Sequence, residues 1–398
     1  MPAFPEARCV VLAPDSLADT LRVAIREPVD LSHAPVPATE AERFVFAPFY
    51  ETLVRLDCDG RMEPGLAAQW IRVEDDGRHW RFTLRDNATF WDGTPVTAED
   101  VVAAWAGHAD LPAESVLALD ARTLSVVLTR PDTAPRRLAD PRLAIARPGA
   151  PGELPLGTGP YAVAAWSTLQ LEARPQNRAG PLLGFALASG ADLRDLLDQG
   201  IDLVLTDDPE TLRYAGSREA FDVVPLPWAW TYVLAGDLPL QPVESANAWG
   251  LRDAVRADVR WAEPPFWWTE APRCRGAGAE SHYQTPGMAR TIAYVNTDPV
   301  ARDIAERLAA VAGRDADPAG PGSLRALGLS PAEFADALKA NRALAFVTAL
   351  PRRSYDTCLD LPAGTVIPLL DARNSIVARR RAVRLEVEWD GTPRLVRP

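Results

Sequence analysis

Short alternating apolar stretches and capped helices follow one another along the whole chain, and that interleaving limits the possible folds more than any other feature. Leu21-Arg22-Val23-Ala24-Ile25 alternates with the period of a strand. Residues 70–74 and 79–85 flank Asp76-Gly77, a hairpin signal. Residues 44–56 read as a helix carrying Phe46, Tyr50, Leu53 and Val54 on its apolar side. Thr97 with Asp100, Ser330 with Glu333, and Asp298-Pro299 are helix starts, because a short oxygen-bearing side chain there accepts an amide hydrogen of the first turn. Residues 193–199 form another helical stretch, with Gly200 placed for a left-handed cap. Residues 124–128, 202–205, 223–234 and 383–389 read as strands. Helices and strands mixed in this way predict an α/β protein.

A length of 398 residues accommodates two or three domains. The net charge of −12 argues against nucleic acid, whose phosphates attract a basic face. No stretch approaches the roughly 20 apolar residues of a membrane helix. No basic segment followed by a long apolar run precedes Asp19, so no signal peptide is visible. Cys9, Cys58, Cys274 and Cys358 lie far apart, without the spacing of a zinc or redox site. Two disulfides and free thiols both remain open, and the compartment with them.

Signals for catalysis are sparse. There is no nucleophile elbow, no phosphate loop and no paired-histidine zinc motif, so no catalytic residue, metal or cofactor is expected. Gly157-Thr158-Gly159 lacks the later glycine of a dinucleotide fingerprint and reads as a tight turn. His33, His79, His108 and His282 are isolated and read as surface or capping residues. Asp75-Asp76 and Asp207-Asp208 sit beside turn residues and read as solvated loops. The aromatic residues carry more information. Trp228, Trp230 and Tyr232 occupy alternate positions and so share one side of a strand, while Phe266, Trp267 and Trp268 are contiguous. Packing in a core and lining a ligand site are both open for them.

One long block resembles a known family. Tyr50-Glu51-Thr52-Leu53-Val54, Glu63-Pro64-Gly65-Leu66-Ala67 with Trp70, Trp80-Arg81-Phe82-Thr83-Leu84-Arg85, and the run from Phe90-Trp91-Asp92-Gly93-Thr94-Pro95 to Val101 resemble, in order, the signature of the family 5 (peptide/nickel-binding) extracytoplasmic solute-binding proteins of ABC transporters. Gly157 to Tyr161, residues 200–205, Pro368-Leu369-Leu370 and Asp390-Gly391-Thr392-Pro393 resemble later segments of the same family. The resemblance implies a two-lobed periplasmic-binding-protein fold with crossing hinge strands and an extra inserted domain. By that pattern lobe one is built from residues 1–43, 161–250 and 359–398, the inserted domain from 44–160, and an abridged lobe two from 251–358. It implies a monomeric receptor that captures a small-molecule ligand between its lobes and delivers it to an ABC importer permease, in a periplasmic or other extracytoplasmic location. Placement by resemblance makes Glu27, Trp228, Trp230 and Tyr232 the ligand-binding candidates. The family's amine-binding segment is not recognisable over residues 341–360, where Tyr355-Asp356 is a partial echo, which argues against peptides as ligands. The alternative is a cytosolic ligand sensor or interaction module that reuses the fold.

Overall fold

The computed structural model describes residues 9–12, 19–106, 108, 113–132, 134–176, 180–236, 291–312, 325–340, 342–353, 365–380 and 384–395. The chain divides into two compact units. The first holds residues 1–206, 211–226 and 375–398, and the second holds 207–210 and 227–374.

A seven-stranded mixed sheet organises the first unit, in the order 221–225, 375–379, 203–206, 20–25, 182–187, 170–175 and 161–166. Thr20–Ile25 lies near its centre and is parallel to both Leu182–Leu187 and Leu203–Thr206. Leu21, Val23 and Ile25 point to one face of that strand and join Phe44, Phe49, Leu183 and Phe185 in the main core. Phe44 meets Phe185 edge-on at 6.2 Å between centroids. The expected hairpin forms as Ala67–Arg72 and His79–Leu84, inside a four-stranded antiparallel sheet, with Gly77 in its turn at φ +71°.

Three expectations need correction. The helix read over 44–56 spans Glu40–Phe46 instead. Thr39 caps it by accepting from the Glu42 amide, and Pro48, which has no N–H to donate, stops it. The single strand read over 223–234 is two strands in different sheets. Phe221–Pro225 belongs to the seven-stranded sheet and Trp230–Gly236 to a five-stranded one. Pro225 and Pro227 between them break the ladder. The lobe boundaries read at 250/251 and 358/359 also differ from the compact units, because Trp230–Gly236 and Thr365–Ala372 pair with each other inside the second unit.

That second unit is a five-stranded sheet in the order 325–329, 291–295, 345–351, 230–236 and 365–372. Helix Pro299–Ala312 packs Ala301, Ile304 and Leu308 against Ile292, Leu234 and Val347. Helix Pro331–Lys339 packs Phe334 and Ala337 against Ala293 and Phe346. Since 292 and 293 are neighbours on one strand, the two helices cover opposite faces of the sheet.

Candidate functional site

In the second unit, one end of the sheet gathers aromatic and arginine side chains. Trp230 pairs with Pro351 on one side and Ala372 on the other. Just before the strand, the Ala229 amide donates to the Ala372 carbonyl at 3.0 Å, and the Arg352 amide donates to the Ala229 carbonyl at 2.8 Å. These bonds fix Trp228 at the mouth of the sheet, where the Arg373 guanidinium stacks over its ring at 4.1 Å. Trp228 and Trp230 are half-buried. Behind them, the buried carboxylate of Asp371 accepts from the Thr231 hydroxyl and lies 3.2 Å from an Arg352 nitrogen. Held between a guanidinium and a hydroxyl, this carboxylate sets the arginine's position.

Tyr232 is placed differently from its two neighbours in the sequence pattern. It is 8 % exposed and packs among Leu234, Ile292, Ile304 and Leu370. Its hydroxyl donates to both carboxylate oxygens of Asp298, at 3.1 and 3.2 Å. Asp298 also accepts from the Ala301 amide at 2.9 Å and so caps the helix 299–312, as its position before a proline predicts. Burial pushes the Asp298 carboxyl up, against the lowering effect of these hydrogen bonds.

The fourth candidate, Glu27, is exposed and lies just after the central strand Thr20–Ile25 of the first unit. The following loop borders a groove of about 710 Å³ lined by Pro28, Asp30, Leu31, Leu154 and Trp166. Trp166 is 44 % exposed at the end of its strand. Sequence reasoning missed it, although an outward-facing tryptophan at a strand end was visible as a pattern. The buried Glu42 carboxylate holds this loop by accepting from the amides of Asp30 at 3.0 Å and Ala38 at 2.7 Å, with His33 Nδ1 at 2.9 Å.

The signature residues themselves form structural joints. Thr97 and Asp100 make the reciprocal capping box. Arg147 then grips the Asp100 carboxylate through two nitrogens, at 2.7 and 2.9 Å, and lies 4.2 Å above the Phe90 ring. A Cβ on Gly157 would sit 2.1 Å from the Phe49 carbonyl oxygen, and one on Gly159 would sit 2.4 Å from that of Pro48. The glycines therefore allow close backbone approach, and the turn reading accounts for them. Asp76 accepts from the Arg78 amide in its turn. His79 contacts the Ser125 hydroxyl at 2.7 Å, and His108 contacts the Arg142 carbonyl at 3.1 Å. Among the described residues, the one grouping of metal-ligand types is Cys9, Cys58 and Asp59, and its two sulfurs are joined as a disulfide. His282, Phe266 to Trp268, Cys274, Cys358 and Tyr355-Asp356 lie outside the described residues.

Residues 61–181 match the model of the bacterial extracellular solute-binding proteins, family 5. The periplasmic murein peptide-binding protein MppA of Escherichia coli is 49% identical over 61 residues, which are 15% of this chain and 11% of MppA. The nickel-binding periplasmic protein of the same organism is 43% identical over 61 residues, covering 15% of this chain and 12% of that protein. The matched stretch thus spans about a tenth of these curated relatives. Likeness in fold extends much further. The crystal structure of NikA from Brucella suis in complex with Fe(III)-EDTA superposes with a TM-score of 0.68 at 15% identity, over 95% of this chain and all of NikA. The unliganded open form of MppA superposes with a TM-score of 0.62 at 18% identity, over 97% of this chain and 99% of MppA. The fold is that of the two-lobed periplasmic binding proteins, in the α/β class.

Proposed function

Since the chain belongs to the family 5 extracellular solute-binding proteins, we propose that it is an extracytoplasmic receptor that captures a small solute and hands it to the membrane permease of an ABC importer. The observation that carries this reading is the extent of the fold likeness, which runs over nearly the whole of this chain and of binding proteins such as NikA and MppA. The Cys9–Cys58 disulfide supports an oxidising compartment and weighs against a cytosolic sensor, because the cytosol keeps thiols reduced. The protein acts by capture, without turnover.

Trp228 and Trp230 supply aromatic contact area to the ligand, with Tyr232 as the fixed wall beside them. Half-buried indoles suit this role because each adds large contact area and keeps a polar edge. A peptide fits less well. Its ammonium group needs a carboxylate partner, and Asp371 lies on the strand face opposite Trp230, already engaged by Arg352 and Thr231. The ligand is therefore a flat, weakly charged solute. The test is a thermal-shift screen across peptides, sugars, aromatic acids and metal chelates, with tryptophan fluorescence as the second readout. A true ligand at about 100 times its Kd stabilises the protein by about 2.7 kcal/mol. Trp228→Ala and Trp230→Ala should each weaken its binding. Saturable binding of a tripeptide would refute the ligand class, and a ligand indifferent to both substitutions would refute the site.

A further inference from the structure

A cavity of about 590 Å³ lies wholly within the first unit, lined from helix Glu40–Phe46, the hairpin 54–64, the turn at Thr158 and the C-terminal hairpin. Phe46, Tyr50, Pro48 and Pro160 give it apolar walls. Its polar lining is short of partners. The hydroxyls of Thr158 and Thr392, residues 4 % and 6 % exposed, and Nε of Arg394 are buried there without a hydrogen-bond partner among the described residues. Buried donors left unpaired are costly, so three on one cavity point to an occupant that accepts hydrogen bonds. Arg394 is held at its other end, donating to Glu386 at 2.9 Å, while its Nε is 3.4 Å from Glu388. Arg55 is held by Glu63 and reaches the same Glu388 carboxyl at 3.4 Å. Two guanidiniums therefore share one carboxyl group through long, weak contacts.

We propose that this cavity is a binding site for a small monocarboxylate with an apolar body, its carboxylate taking the N–H groups of Arg394 and Arg55 and the hydroxyls of Thr158 and Thr392. The site is independent of the solute site proposed above. An aromatic or branched acid would lay its apolar part on Phe46, Tyr50 and the prolines. The entering anion displaces the charge of Glu388, which takes up a proton. That exchange is easy near neutrality, because burial and the neighbouring Asp390 push the Glu388 carboxyl up to about 7, against the lowering effect of Arg394 and Arg55. The other charges around it are matched. Arg43 faces Asp390, Glu63 faces Arg55, Glu386 faces Arg394, and Arg85 grips Glu51. Glu388 is thus the group whose charge adjusts, and the anion and proton bind together.

Titration calorimetry with sodium benzoate tests this, since a benzoate carboxyl stays ionised at pH 6 and pH 8. Uptake of one proton at a group titrating near 7 predicts about tenfold weaker binding at pH 8 than at pH 6. Glu388→Gln should keep the pH 6 affinity and lose the pH dependence. Thr158→Val and Thr392→Val should each weaken binding about fivefold, with melting curves confirming that the variants fold. No benzoate binding at either pH would mean that the cavity holds solvent only and would overturn the proposal. Unchanged affinity in both valine variants would place benzoate elsewhere and overturn it equally. If the valine variants fail to fold, the pH profile of Glu388→Gln decides alone, and a persisting tenfold dependence rejects the site.

Discussion

Replacing Cys9 by serine together with Cys58 by alanine opens the one disulfide found among the described residues. The two cysteines are 49 positions apart, with their Cα atoms at 5.3 Å. Joining residues that far apart removes loop-closure freedom from the unfolded chain, and the chain-entropy relation for a loop of this length gives about 4 kcal/mol. Alanine at position 58 avoids burying a new hydroxyl, since Cys58 is 2 % exposed. For a unit of this size, 4 kcal/mol corresponds to a fall in Tm of about 10 °C. Urea melts of the wild-type protein and the double variant, followed by tryptophan fluorescence, measure the loss. The variant should also show a larger m-value, because its unfolded state is free to expand. Superimposable melts, from wild-type protein shown by mass spectrometry to carry the bond, would refute the loop-closure argument.

Two further predictions concern single side chains. Thr97→Ala should lower stability by about 1 kcal/mol in denaturant melts, since its hydroxyl accepts the Asp100 amide and no other group replaces it. A folded-state value near 7 for Glu388, above the ordinary carboxyl range, means that its contribution is fully present below about pH 4.5 and is lost as pH rises through 7. Between pH 5 and pH 8 that loss should amount to about 2 kcal/mol in wild-type melts, and Glu388→Gln should flatten the slope.

Local chemistry was legible in the sequence and long-range pairing was not. The capping boxes at Thr97 and Ser330 are both present, because a cap depends on residues three apart. The hairpin around Gly77 formed for a similar reason. The helix at 40–46 was misplaced because the weight went to its apolar residues, when Thr39 and Pro48 set its ends. At 221–236 the apolar run looked continuous, yet two prolines send its halves to different sheets. The same limit applies to the candidate site. Trp228 and Trp230 could be picked out by type and spacing. What separates them from Tyr232 is Asp298, 66 positions away, and what occupies Asp371 is Thr231, 140 positions away. A buried carboxylate shows its partners only once the chain is folded.

The pairing of Val10–Leu12 with Leu385–Val387 bears on how the protein is made. The first described strand finds its partner at the far end of the described residues, and Ser375–Arg379 must be inserted between 203–206 and 221–225 before the seven-stranded sheet is whole. Contacts this distant in sequence make folding slow and leave strand edges open during synthesis. The second unit has no such dependence, since all five of its strands come from residues 230–372. A nascent chain can therefore complete its later-encoded unit first, while the unit begun at the N-terminus waits.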